Sequence, residues 1–254
     1  MSYADDYDRA IARNYDAEYS VLRDPSGDRD FYASLARETG GPVLELGCGT
    51  GRVLLPIAQE GIECVGLDLS PAMLDVLRAK GPPPNLSLVQ ASITDYDLGA
   101  GRFALIYSAF RVFQHLYTVE DQLAALACVR RHLSPGGLFA FDVFAPLLSR
   151  IAITEEPEQE DVRAQDGEDE VRRFASASRD LVTQVMRVRF RHERRRGGVV
   201  ISEEVTEVRM RWYYRYELEH LLVRAGLEPV TFYGGFDRRP YDAKGDIIVV
   251  AKAR

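Results

Sequence analysis

The sequence predicts an α/β protein: a parallel sheet covered by helices on both faces, with an antiparallel β insertion late in the chain. Three observations predict it. Short apolar runs alternate with helical segments from Val43 to Val143, which is how a parallel sheet is written. The first apolar run ends in three alternating glycines that open a helix. Met186-Arg187-Val188-Arg189-Phe190-Arg191 then alternates strictly, as a half-buried antiparallel strand does.

Each element has its own signal. Residues 3 to 38 carry Tyr7, Ile11, Tyr15, Tyr19, Phe31 and Leu35 at helical spacing. They read as two short helices broken at Asp24-Pro25-Ser26-Gly27. Val43 to Leu46 is the first strand. Residues 51 to 60 form a helix, with Pro56 tolerable only near its first turn. Ile62 to Leu67 is the second strand. Ser70-Pro71 caps a helix that runs to Lys80 and stops at Gly81-Pro82-Pro83-Pro84. Leu86 to Val89 and Phe103 to Ser108 are the third and fourth strands. Thr118 with Asp121 has capping-box spacing and opens a helix ending at Leu133. Ser134-Pro135-Gly136-Gly137 turns into a fifth strand, Leu138 to Val143. The acidic stretch 155 to 170, with Pro157 and Gly167, reads as a loop. Gly197-Gly198 turns the Arg-rich strand into its return, Val205 to Trp212. A helix over Glu217 to Ala225 and two strands, Pro229 to Tyr233 and Asp246 to Ala251, close the chain.

Composition narrows the function. The chain has 254 residues, 46% of them hydrophobic, enough for a large core without disulfides. Cys48, Cys64 and Cys128 show no paired spacing, which suits a reduced, cytoplasmic protein. No apolar run approaches the roughly 18 residues a membrane span needs, and MSYADDYDRA is not a secretory leader. A net charge of −7 argues against a nucleic-acid partner.

The chemistry centres on Glu45-Leu46-Gly47-Cys48-Gly49-Thr50-Gly51-Arg52. Glycines are needed where a backbone turns sharply against a ligand, and the helix start beyond them favours negative charge. A dinucleotide fingerprint requires a glycine where this chain has Arg52, so the spacing disfavours a nicotinamide-dependent oxidoreductase. Asp68 ends the second strand, where a carboxylate can accept from ribose hydroxyls.

With "ELGCGTGR", "GLDLSPAML", "QASITDYDL", "FALIYSAFRVFQHL" and "LSPGGLFAFDVF" in this order, the chain resembles class I S-adenosylmethionine-dependent methyltransferases. The resemblance implies a Rossmann-like seven-stranded sheet whose last strand is antiparallel, and S-adenosylmethionine as cofactor, leaving as S-adenosylhomocysteine. Gly47, Gly49 and Gly51 would lie against the methionine portion, Glu45 would help hold its amino group, and Cys48 and Arg52 would also belong to the cofactor site. Asp68 would take the ribose, and Leu69 and Met73 would pack on the adenine. Ser92, where an Asp is common, and Ile93 would meet the adenine edge. Ser108 and Ala109 would lie beside the methionyl chain. An N-terminal lid would bring Tyr15 or Tyr19 onto the cofactor. The late insertion resembles that of small-molecule enzymes such as aminosugar N,N-dimethyltransferases.

The resemblance implies the following division: residues 1–40 as lid, 41–150 as cofactor-binding core, 151–213 as acidic loop and β insertion, 214–254 as the closing elements. The acceptor is expected beside Phe110, Arg111, Phe113, Tyr213 and Tyr214, with the insertion either covering it or forming a homodimer surface. His115 is the candidate general base that an oxygen acceptor would need; a neutral amine needs none. No histidine stands at zinc spacing, and Asp142 lacks the carboxylate partners of a metal site, so no metal is expected and Asp142 reads as a cap for the segment after it. A cofactor-binding module without catalysis is the alternative to an enzyme.

Overall fold

A computed structural model describes residues 26–144 and 147–254. Tyr15, Tyr19 and the first of the two expected N-terminal helices lie outside the described residues. The second helix, α1 (Ser26–Thr39), takes in Ser26 and Gly27, which the sequence assigns to the preceding turn. It buries Phe31, Tyr32, Leu35 and Ala36.

The described chain forms two compact units. One takes in the described residues up to Phe144 together with Tyr213–Arg254, and the other those from Leu147 to Trp212. In the first unit β1 (Val43–Leu46) leads through the glycine turn to α2 (Leu54–Gln59). β2 (Cys64–Asp68), α3 (Pro71–Ala79), β3 (Leu86–Gln90) and β4 (Phe103–Ser108) follow. A 3-10 turn (Val112–His115), α4 (Val119–His132) and β5 (Leu133–Phe144) complete this stretch. The caps are those the sequence predicts. Ser70 Oγ accepts from Met73 N, and Thr118 Oγ1 accepts from Asp121 N at 3.1 Å.

Several boundaries differ from the sequence reading, and two of them have a local cause. Helix α2 begins three residues later than expected, because Arg52 and Val53 are still part of the turn. β5 begins at Leu133: Leu133 pairs with Phe103 and Leu138 with Leu105, so the Ser134–Gly137 turn is an irregularity within the strand.

The second unit starts with α5 (Leu148–Ile151) and holds a four-stranded antiparallel sheet, β6 (Glu155–Asp166), β7 (Asp169–Asp180), β8 (Val185–Arg196) and β9 (Val199–Arg211), paired in that order. The expected acidic loop is therefore strand β6. Its residues are mostly exposed, so no apolar alternation marks it. Cross-strand ion pairs to β7 hold it instead: Asp161 with Arg173 at 2.8 Å and Glu156 with Arg179 at 3.0 Å. Pro157 falls at a register shift on this edge strand, where a missing N–H does least harm.

Back in the first unit, α6 (Arg215–Arg224), β10 (Leu227–Tyr233) and β11 (Asp246–Ala253) close the seven-stranded sheet, ordered β10-β11-β5-β4-β1-β2-β3. β11 runs antiparallel to both its neighbours. Alternate residues of each central strand feed two separate cores, as the period of two requires. Leu44, Ile106, Phe139, Phe141, Ile247 and Val249 pack with α4 and α6. Val43, Leu105, Tyr107, Ala140, Ile248 and Val250 pack with α1, α2 and α3. β1 pairs with β2 on one side and β4 on the other, so the chain order reverses at that pair and opens a crevice beyond the strand ends.

Candidate active site

Two cavities lie at this crevice and share Gly47 and Val112 in their walls. The first holds about 510 Å³ of empty space, the open solvent at its mouth included. Glu45, Cys48, Gly49, Arg52, Asp68, Met73, Ala109 and Phe110 are among its lining residues. Leu69, Ser92, Ile93, His115 and Leu116 line the second. Residues at and just beyond the ends of β1, β2 and β4 thus converge, although 64 positions separate Glu45 from Ala109 in the chain.

The three glycines of the turn all have positive φ, yet serve different ends. A Cβ on Gly47 would stand 2.6 Å from Val112 Cγ1, and one on Gly51 would stand 2.4 Å from Leu77 Cδ1. These two let the 3-10 turn and α3 approach. A Cβ on Gly49 would meet nothing within 4 Å, so this backbone is the part that a ligand can approach. Gly66, inside β2, is a further packing glycine that the sequence reading passed over: its Cβ would lie 2.8 Å from Cys48 Sγ.

Asp68 is 3% exposed and does more than end a strand. Its carboxylate accepts from Gly49 N at 2.7 Å and from Ser70 N at 2.8 Å, so it ties the glycine turn to the start of α3. Burial pushes its pKa up, against the pull of those backbone donors. Glu45 accepts from Tyr107 Oη at 3.0 Å, and burial pushes its carboxyl up to about 8. A buried carboxyl that stays protonated at neutral pH and faces a cavity is suited to a cationic ligand, which returns it to the charged form.

Arg52 reaches back to α1, where both Asp28 oxygens accept from its guanidinium, and its charge lies 5.2 Å from the centre of the Phe110 ring. Phe110 and Arg111 both have left-handed backbones, φ 59 and 66. Both donate to Asp142. Fully buried, it accepts from Phe110 N at 2.8 Å, Arg111 N at 3.2 Å and Tyr32 Oη at 2.8 Å. Asp142 thus meets the turn after β4, a partner the sequence reading did not foresee because it lies on the neighbouring strand and not along its own chain. Arg111 pairs with Asp246 at 3.1 Å.

Other expected site residues fall elsewhere. Phe113 is core, packed on Phe141 and Tyr213. Tyr213, expected at the acceptor, is fully buried and donates from its hydroxyl to Leu116 O at 3.0 Å; it fastens the 3-10 turn. Tyr214 is 40% exposed at the start of α6. Ser108 is buried at the end of β4, its Oγ without a hydrogen-bond partner among the described residues. Asp28 and Tyr32 were missed by sequence reasoning. Their one signal was the four-residue interval that puts both on one helix face. Among the described residues no helix is long and apolar enough to cross a membrane.

Residues 43–137 match a family model described as a methyltransferase domain, and the seven-stranded sheet has the fold of solved methyltransferases. In particular, the CcbJ methyltransferase from Streptomyces caelestis superposes with a TM-score of 0.79 at 29% identity, over 91% of this chain and 97% of that one. DesVI from Streptomyces venezuelae superposes with a TM-score of 0.74 at 24% identity, over 96% of this chain and 98% of that one, a likeness of fold. A cypemycin N-terminal methyltransferase from a Streptomyces species is 30% identical over 146 residues, 58% of this chain and 59% of that protein. A dTDP-3-amino-3,4,6-trideoxy-alpha-D-glucopyranose N,N-dimethyltransferase from Streptomyces venezuelae is 33% identical over 141 residues, 54% of this chain and 55% of that protein. The chain spans about half the length of the curated relatives it matches.

Proposed function

We propose that the protein is an S-adenosylmethionine-dependent methyltransferase that acts on a nitrogen of a small molecule. The observation that carries the reading is the pairing, in one cavity, of an open glycine backbone at Gly49 with the buried carboxyls of Glu45 and Asp68. Those groups fit the cofactor. Gly49 would admit its methionine portion, Glu45 would hold its ammonium, and Asp68 has oxygen lone pairs left that would accept from ribose hydroxyls. When bound, the cofactor supplies an electrophilic methyl on a sulfonium. The chain then has to align, enclose and keep water out, which needs no covalent step of its own.

Nitrogen is favoured over oxygen by the place of His115. It shares the second cavity with Leu69, Ser92 and Ile93, the residues assigned to the base. That position supports a role beside the adenine and not as a general base at the methyl group. The relatives named for nitrogen methylation, 30 and 33% identical, agree with it, beside ubiquinone biosynthesis O-methyltransferases that are 34–35% identical over 113 residues. Titration calorimetry with S-adenosylhomocysteine and with NAD tests the cofactor; turnover against a panel of amines and phenols tests the acceptor and separates an enzyme from a binding module. Tight binding of NAD with none of S-adenosylhomocysteine refutes the reading.

A homodimer through β9 is supported by one observation. β9 is an edge strand of its sheet and exposes Val199, Val200, Ile201 and Val205. An edge with apolar side chains is a template for a second copy.

A further inference from the structure

We propose that Asp142 is a positioning residue of the cofactor site: its carboxylate holds Phe110 and Arg111 in their left-handed turn and, through Tyr32, links that turn to the helix that also holds Arg52. This rests on the proposed function, since it concerns the methionine end of the same cavity.

Two consecutive non-glycine residues with φ 59 and 66 are strained, and such a turn persists only where its surroundings impose it. Both of its N–H groups point at one carboxylate, Phe110 N at Oδ1 and Arg111 N at Oδ2. The ring that this turn carries, that of Phe110, lines the cavity and lies under the Arg52 guanidinium. Helix α1 holds both partners. Tyr32 donates to Asp142 Oδ1, and one turn earlier Asp28 accepts from both terminal nitrogens of Arg52. Tyr32 is also stacked on Tyr107, the hydroxyl donor to Glu45, with ring centres 4.7 Å apart. One helix face therefore fixes the walls around Phe110, Arg52 and Glu45 together. The groups so fixed stand at the methionine end, whereas Leu69, Ser92 and Ile93 line the other cavity.

The test uses the full chain and two probes. S-adenosylhomocysteine has both the nucleoside and the amino-acid end; 5′-methylthioadenosine lacks the amino-acid end. In Asp142→Asn one amide hydrogen faces an N–H or O–H that formerly donated, so the turn loses an acceptor. The expected result is at least a tenfold weaker affinity for S-adenosylhomocysteine by calorimetry and a change under twofold for 5′-methylthioadenosine. Adding Arg111→Gly, which relieves the left-handed strain, is expected to recover most of the loss. Tyr32→Phe, which removes one donor and keeps the stacked ring, gives a smaller loss in the same direction and serves if Asp142→Asn does not fold. Unchanged affinity in these variants overturns the proposal. So does an equal loss for both probes that the glycine does not rescue, since that marks a general folding defect. Failure of the unaltered protein to bind either probe instead refutes the proposed function itself.

Discussion

At the residue scale, the groups of the glycine turn divide their labour, and substitution separates them. Gly51→Ala forces a Cβ into Leu77 at a left-handed position and is expected to destabilise the fold by about 1–3 kcal/mol, read as a lower denaturant midpoint. Gly49→Val puts its branches into open cavity. It is expected to abolish binding of S-adenosylhomocysteine while the unfolding midpoint moves less than in Gly51→Ala. Asp68→Ala removes the acceptor for Gly49 N and Ser70 N as well as the proposed ribose partner, so affinity is expected to fall by tenfold or more. Glu45 gives a pH signature. Between about 4.5 and 8 the folded protein keeps a proton that the unfolded chain has released. Stability from this group is therefore full below that window and falls as pH rises through it, with a slope of about 1.4 kcal/mol per pH unit. Urea unfolding across the window reads the slope, and Glu45→Gln is expected to flatten it. A cationic ligand at Glu45 expels that proton, so the calorimetric enthalpy near pH 7 is expected to vary with the ionisation enthalpy of the buffer.

At the element scale, local signals fared well where the chain itself supplies the partner. Ser70 and Thr118 cap their helices through donors three residues on, and strands β1 and β4 have the bounds the apolar runs predict. Thr118→Ala is expected to lower stability by about 1 kcal/mol, checked by the denaturant midpoint. Signals failed where the partner is remote. β6 reads as a loop because its side chains are charged and exposed; its antiparallel pairing with β7 makes it a strand, and arginines of β7 meet its acids. Tyr213 reads as a pocket aromatic because its neighbours are aromatic, but its hydroxyl is engaged by Leu116 O, 97 positions away.

At the scale of the whole molecule, the exposed apolar edge of β9 sets the expected assembly. Replacing Val200 and Ile201 by lysine is expected to shift the sedimentation mass from dimer to monomer and leave affinity for S-adenosylhomocysteine unchanged; an unaltered mass refutes the β9 interface. The sequence by itself determined the α/β class and the glycine turn, which follow from period, turn chemistry and spacing, all of them local; most of the strand-end residues that line the cavities came from the resemblance to class I methyltransferases. Only the tertiary structure decided that Asp142 serves the turn after β4, that Asp28 and Tyr32 reach the site from α1, and that His115 shares the Leu69 and Ser92 cavity and not that of Glu45. Each is a meeting of side chains remote in sequence. Hydrogen-bond geometry and burial choose such partners in space, and no pattern along the chain records the choice.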